Sequence, residues 1–194
     1  MRRLFLPLLL LAAPAIAQQQ SESYKFLEAV RNAKANEVIA MVDKPGSRVV
    51  NTRDVTSGET ALHIAVKRGD IPYANYFLGK GADANAKDSR GNTPLILAVN
   101  AGATELIPIL VGARANVNLG NTSGETPLIR AVQRRDLAMV RALLTAGGDP
   151  DQADVIAGKS ARDYATEDAR NPAIAKLIAE TPKKVRRAVS GPKL

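Results

Sequence analysis

The sequence predicts an all-α fold in which short helix pairs stack side by side. Glycine recurs along the chain at spacings of 33, 33 and 34 residues, at Gly58, Gly91, Gly124 and Gly158. A fixed period of this length is typical of repeat proteins. Hydrophobic residues make up 45% of the chain and aromatic residues only 4%. Small aliphatic side chains suit closely packed short helices better than a β-sandwich with aromatic layers.

Each central unit begins its first helix with the same local signal. Thr60, Thr93 and Thr126 stand at predicted N-cap positions, where the hydroxyl accepts a hydrogen bond from a free backbone N–H. Pro94 and Pro127 follow at the first helical position, where no hydrogen-bond donor is lost. Apolar residues then recur at i, i+3 and i+4, which predicts one buried face on a short helix. These residues are Leu62, Ala65, Val66, Leu95, Ala98, Val99, Leu128, Ala131 and Val132.

A second helix is predicted in each unit, at residues 71–78, 104–111 and 137–144. Pro108 lies inside the middle one, where its missing N–H and its ring oppose a regular helix. We therefore expect that helix to bend or to begin late.

The chain must reverse after each second helix and run into an extended finger. Gly81 and Gly147 stand at this reversal, which uses the left-handed conformation that glycine adopts without steric cost. Arg114 occupies the same position in the middle unit. If the register is right, Arg114 must take a positive φ at a cost of about 1 kcal/mol.

These motifs resemble the ankyrin family. After the recurring glycine the chain reads GETALHIA, GNTPLILA, GETPLIRA and, more weakly, GKSARDYA, and further along each unit GADAN, RANVN and GGDPD fall in register. The resemblance covers residues 23–180 and is strong over 55–151. It implies a solenoid of about five helix–turn–helix units with short β-hairpin fingers. The terminal units are expected to be degenerate, because each has one face in water.

The expected organisation follows the chain order. Residues 1–17 form a cleavable signal peptide, 18–57 an N-terminal linker and capping repeat, and 58–157 three full ankyrin repeats. Residues 158–180 form a C-terminal capping repeat, and 181–194 a basic tail that we expect to be disordered.

Residues 1–17 have the three parts of a secretory signal. Arg2 and Arg3 supply the positive start, and Ala15 and Ala17 supply the small residues before a cleavage site. The apolar run at 4–16 is shorter than the roughly 20 residues of a membrane-spanning helix, which makes an uncleaved anchor the weaker alternative. The general secretory route and the twin-arginine route both stay open. We expect a bacterial protein exported to the periplasm.

The net charge of +8 lies mostly outside the repeats. Arg2 and Arg3 leave with the signal peptide, and five Lys or Arg residues without any acid lie in 181–194, so the repeats are nearly neutral. The charge is therefore no indication of a nucleic-acid partner. Weak contact between the basic tail and an anionic envelope surface is the alternative that this tail suggests.

The residue inventory excludes most catalytic and metal sites. The chain has one histidine, His63, and no cysteine, so triads, thiol nucleophiles and multi-histidine metal sites are unavailable. The ankyrin resemblance implies that His63 bonds neighbouring backbone and threonine groups. We expect no enzymatic activity, no cofactor and no metal.

The resemblance implies that partners contact the fingertips and the exposed side of each first helix. Arg68, Arg90 and Arg134 are the foremost candidates, because arginine is enriched in binding hot spots. By register the partner-binding residues are Thr56, Ser57, Glu59, Lys67, Arg68, Ser89, Arg90, Asn92, Asn100, Ala101, Thr122, Ser123, Glu125, Gln133 and Arg134.

The resulting functional hypothesis is a monomeric, non-catalytic protein–protein interaction module. It would act as an exported adaptor, inhibitor or protective partner that binds another protein through its concave face. The alternative is an envelope-associated protein held to anionic lipid or wall polymer by residues 181–194.

The signal-peptide interpretation predicts that the mature protein begins at Gln18. Small residues at 15 and 17 direct cleavage after Ala17. Intact-mass and N-terminal peptide mass spectrometry of the periplasmic fraction checks this. A chain that still begins at Met1 in the membrane fraction contradicts it.

Overall fold

The computed structural model describes the backbone of residues 13–182 and the side chains of 22–182. Most of the predicted signal peptide and of the basic tail lie outside these described residues. Ten α-helices and one short 3-10 helix, Val49–Asn51, make up the regular structure of this part of the chain. The α-helices are α1 Ala13–Arg31, α2 Ala35–Val42, α3 Ala61–Lys67, α4 Ile71–Gly79, α5 Pro94–Ala101, α6 Leu106–Gly112, α7 Pro127–Gln133, α8 Leu137–Thr145, α9 Ala161–Glu167 and α10 Pro172–Ala179.

The helices form five consecutive antiparallel pairs, which confirms the predicted all-α repeat architecture. Within each pair the first helix packs against the second, and first helices pack on one another from α3 through α5 and α7 to α9. Second helices meet from α6 through α8 to α10. None of the described helices has both the length and the apolar character needed to cross a membrane.

The threonine caps hold as predicted. Thr60, Thr93 and Thr126 accept hydrogen bonds from the backbone N–H three residues on, at 3.5, 3.3 and 3.2 Å. The fourth repeat uses Ser160, whose hydroxyl accepts from the Asp163 N–H at 3.2 Å while the Asp163 carboxylate accepts from the Ser160 N–H at 2.9 Å. This reciprocal capping box satisfies two free N–H groups at the start of α9.

The apolar stripes are buried, and they merge into two clusters. One runs continuously from Leu62 in α3 to Ile178 in α10. The other is N-terminal and contains the aromatic core, where Phe26 of α1 meets Phe77 of α4 edge-on with ring centroids 6.3 Å apart. Although the first unit matches the repeat motif weakly, its phenylalanine side chains bury more apolar surface each than the aliphatic side chains of the central units.

Pro108 delays α6 as predicted. This helix begins at Leu106, two residues after the expected start, and Pro108 stands at its third position. The turn before it is tight, because Leu106 N–H bonds the Ala103 carbonyl and Ile107 N–H bonds the Thr104 carbonyl, both at 3.1 Å. At the third helical position an N–H has no partner within the helix, so Pro108 removes no helical hydrogen bond.

The fingers correct one detail of the prediction, because they are tight turns and not β-hairpins. Within residues 13–182 the only β-bridge is the isolated one between Ala153 and Ser160. Each finger is closed by one backbone bond across its base, such as Asp88 N–H to the Asn92 carbonyl at 2.9 Å. In that finger the Arg90 and Asn92 N–H groups bond the Asp88 carboxylate, and the Gly91 N–H bonds the Asp88 carbonyl, so these groups are not available for a strand ladder.

Arg114 takes a positive φ of 65°, as the register predicts, beside Gly81 at 84° and Gly147 at 92°. Its side chain is exposed, and its carbonyl accepts a hydrogen bond from the Asn85 amide at 3.0 Å. The strain is therefore confined to the backbone and is not offset by a contact of the guanidinium among the described residues.

Two further positive φ values were not predicted. Ala33 has φ 53° and Arg135 has φ 59°, at the first-helix end where Gly69 and Gly102 stand in the neighbouring repeats. Arg135 is partly compensated, because its Nε donates to the Asp168 carboxylate at 2.5 Å.

The Arg114→Gly variant is expected to unfold at a higher temperature, with stability raised by about 1 kcal/mol from relief of the left-handed strain. Thermal denaturation followed by circular dichroism checks this. The matched control is Gly81→Ala, which introduces the same strain where a Cβ meets nothing within 4 Å, and which should lower stability. A less stable Arg114→Gly variant contradicts the interpretation.

Candidate partner-binding face

The four fingertips form one continuous ridge along the stack. Each tip donates a backbone N–H to a carbonyl of the preceding tip, so the ridge is a chain of inter-repeat hydrogen bonds. The three bonds are Ser89 N–Ser57 O at 2.9 Å, Thr122 N–Arg90 O at 3.1 Å and Val155 N–Ser123 O at 2.9 Å. A ridge bonded in this way presents its side chains in fixed positions.

The recurring glycine is required by this contact between tips. Gly58, Gly91 and Gly124 have positive φ, and a Cβ on each would lie 2.7, 2.6 and 2.8 Å from a backbone nitrogen of the next tip. No real Cβ tolerates that approach, so a side chain here would push the tips apart. The period seen in the sequence is therefore the period of the ridge.

The base of each finger is held by the side chain that opens it. The Asp54 carboxylate accepts the Ser57 and Thr56 N–H groups at 2.8 and 2.9 Å and the Arg31 guanidinium at 2.7 Å. These donors hold the pKa of Asp54 well below its ordinary value. Asp88, Asn121 and Asp154 accept tip N–H groups in the same way in the following repeats.

The comparison with known families agrees with this geometry. The family model of ankyrin repeats, in three copies, matches residues 26–121 and 62–154. The chain belongs to the ankyrin-repeat family. No curated protein matches the chain significantly. Ankyrin repeats are generally protein–protein interaction modules and are typically non-catalytic, so membership of this family indicates protein binding in general terms.

The structure of this ankyrin-repeat protein places most predicted contact residues in two rows. The tip row follows the ridge, and the second row follows the exposed ends of the first helices. The tip row holds Thr56, Ser57, Ser89, Arg90, Thr122 and Ser123, and the helix row holds Lys67, Arg68, Asn100, Ala101, Gln133 and Arg134.

Asn92 is the one predicted contact residue that the structure removes from this surface. It is only 7% exposed, and its amide donates to the Asp88 carboxylate at 3.0 Å. Its carbonyl lies 3.1 Å from Nε2 of His63. Asn92 therefore stabilises the finger base, and register alone could not reveal that its side chain turns inward.

Two predicted acids are already paired. Glu59 bonds Lys67 at 2.6 Å, and Glu125 lies 3.3 Å from Arg130. Both pairs are only partly buried, and ion pairs near a protein surface contribute about 1 kcal/mol, so a partner can exchange them.

The three candidate arginines differ in how much of each side chain is free. Arg68 donates to the Val30 carbonyl at 2.9 Å, and Arg134 to the Asn100 carbonyl at 2.9 Å, so both tie one first helix to the preceding one. Arg90 is exposed at a fingertip, and its guanidinium has no hydrogen-bond or ion-pair partner in the part of the chain that the structure describes. Arg90 is the candidate best placed to bind an anionic group.

Sequence reasoning missed three apolar residues on the ridge. Val55, Val155 and Ile156 are 92%, 71% and 79% exposed. They lie on the first and last tips, which are one residue longer than the two middle tips. The signal was present, because valine directly follows the finger aspartate at both Asp54 and Asp154.

His63 has the structural role that the resemblance implied. It is buried, and Nδ1 accepts the Thr60 N–H at 3.2 Å and lies 2.8 Å from the Thr60 hydroxyl. Nε2 therefore carries the proton and donates to the Asn92 carbonyl. Burial lowers the pKa of His63 below its ordinary value of 6.5. Among the described residues no cluster of His, Cys, Asp or Glu could hold a metal ion.

The lowered His63 pKa makes stability fall on mild acidification. Below about pH 6.5 the unfolded chain takes up a proton that the folded chain does not, with a limiting slope of about 1.4 kcal/mol per pH unit. Denaturant unfolding from about pH 7 to 5 checks this. His63→Gln, which keeps a donor and an acceptor but does not titrate, should remove the slope. If the slope of stability against pH is unchanged in this variant, a group other than His63 causes it. Asp54 titrates well below this window.

Proposed function

We propose that this ankyrin-repeat protein is exported to the periplasm, loses residues 1–17 and binds another protein there as an adaptor, inhibitor or protective partner. The fingertip ridge and the exposed ends of the first helices are the proposed contact surface. The observation that carries the proposal is the pair Val155 and Ile156, two large apolar side chains held in water on a hydrogen-bonded tip.

A rigid apolar tip supports binding for two reasons. Burying a valine or isoleucine side chain contributes about 1.5–3 kcal/mol, which the free protein forgoes at these positions. The Asp154 carboxylate accepts the N–H groups of Ile156, Ala157 and Gly158 at 3.0, 2.6 and 3.1 Å, so the tip is ordered before any partner arrives. Preorganisation of this kind reduces the entropic cost of association.

The packing of α1 is compatible with removal of the leader. This helix spans Ala13–Arg31 and crosses the predicted cleavage site between Ala17 and Gln18. Among its described side chains, Phe26, Leu27, Ala29 and Val30 pack in the N-terminal core, and all four lie well after that site. Cleavage would therefore leave these four contacts intact.

Affinity capture from periplasmic extract tests the proposal, with the tagged protein purified from exporting cells as bait. Arg90→Glu and Ile156→Asp should each reduce recovery of the partner by about tenfold or more, as expected for hot-spot residues. Ile39→Asp is the matched control, because Ile39 is also exposed but lies on α2 away from the fingers. It should leave capture unchanged.

Deletion of residues 181–194 separates the two functional hypotheses. Capture should survive the deletion if the ridge is the contact surface. Loss of envelope association on deletion, with capture insensitive to both ridge variants, supports the tail-anchored alternative and contradicts the proposal.

A further inference from the structure

The second helices form the face opposite the fingers, and an apolar groove of about 1030 Å³ lies there between α6 and α8. Pro108, Val111 and Gly112 contribute one wall from α6, and Ala138 and Ala142 contribute the other from α8. This groove shares no residue with the fingertip ridge, so its role is independent of the proposed function.

Helix α6 has no polar side chain at all. Its sequence is Leu-Ile-Pro-Ile-Leu-Val-Gly, although Pro108 and Gly112 are exposed and Val111 is half-buried. The second helices around it carry polar residues at exposed positions, such as Asn75 in α4 and Lys176 in α10. A helix that is apolar on every side is expected to be covered, and α6 lies at the surface.

The shape of the groove follows from the sequence of its walls. Pro108 delays the start of α6, and the residues along the groove at 112, 138 and 142 are glycine or alanine. At 1.5 Å per residue, the two walls are about 10 Å and 13 Å long. That length matches two to three turns of a helix laid between them.

Among the described residues, Arg141 is the only charged one that lines the groove. It is exposed, and its guanidinium has no hydrogen-bond or ion-pair partner within residues 22–182. The groove therefore presents an apolar surface with a single unpaired positive charge at its edge. The surface that complements this groove is an apolar stripe with an acidic residue beside it, because the acid would face the Arg141 charge.

We propose that this groove binds an amphipathic helix of a partner protein. The apolar stripe of that partner helix packs between α6 and α8, and an acidic side chain beside the stripe pairs with Arg141. Apolar residues at i, i+3 or i+4 and i+7 cover two turns and fit walls of this length. A second copy of this chain is a poorer occupant, because a twofold contact would bring two Arg141 guanidinium groups to the same groove.

Two synthetic peptides of about four helical turns test the proposal. Both carry leucine at i, i+3, i+4 and i+7, and they differ only in having glutamate or lysine beside that stripe. Fluorescence anisotropy is measured with the protein purified from exporting cells. The glutamate peptide should bind about three- to tenfold more tightly than the lysine peptide, and Arg141→Glu should reverse that order.

A matched pair of alanine variants locates the binding. Ala138→Glu places a charge in the groove and should weaken both peptides about tenfold. Ala173→Glu is the control, because Ala173 is also exposed and has the same second position in α10 that Ala138 has in α8. It should change neither affinity. Circular dichroism confirms that the variants fold.

Three outcomes overturn the proposal. In the first, neither peptide binds. In the second, both peptides bind equally and Arg141→Glu has no effect, which indicates non-specific apolar adsorption. In the third, sedimentation shows a dimer that Ala138→Glu dissociates, which makes a second copy the occupant.

Discussion

No helix pair of this protein is large enough to bury its apolar residues alone, so each depends on the pairs beside it. Leu62, Leu95 and Leu128 occupy the same register in α3, α5 and α7, and all three are fully buried. Each contributes about 1.5–3 kcal/mol through burial that only a neighbouring repeat can supply. The small residues Ala98 and Ala131 lie beside them and let the first helices approach closely. The ridge of fingertips is a consequence of this stacking, because tips on a common period meet on a common line.

The same dependence explains how the stack ends. Asn85 and Asn118 each bridge to the next repeat, where the amide donates to one backbone carbonyl and the side-chain oxygen accepts a backbone N–H. Asp151 occupies this register beside the last described fingertip. Its carboxylate accepts Arg162 Nε at 2.7 Å, and that guanidinium also donates to the Ile178 and Thr181 carbonyls at 2.6 and 3.1 Å. This ion pair joins Asp151 to the two helices of the cap, and it raises the pKa of Arg162 further above its ordinary value.

Local rules made most of the fold predictable, and tertiary context decided the rest. The threonine caps, the delayed α6 and the positive φ of Arg114 each depend on a few neighbouring residues, and all were confirmed. The Asn92 amide turns inward to the Asp88 carboxylate of its own finger, and the Asn92 backbone carbonyl meets His63 on the preceding first helix, so register alone misplaced this side chain on the exposed surface. The outer groove depends on the distance between α6 and α8, which no local pattern encodes. The exposure of a side chain was therefore predictable where the backbone sets it and was not where the side chain bonds an inward-facing partner.

The two faces of the stack differ because the contacts between repeats are concentrated on the face formed by the fingertips and the first helices. Consecutive repeats are joined there by tip hydrogen bonds and by closely packed first helices, as between Arg90 and Thr122. Units that are held close on one face must diverge on the other, and short second helices with small side chains do not fill the space. The space between α6 and α8 is lined mostly by apolar residues. Pro108 shortens the α6 wall, and the small side chains of Ala138 and Ala142 flatten the α8 wall. The same constraint therefore yields a fixed ridge of polar and apolar tips on one face and an uncovered apolar groove on the opposite face.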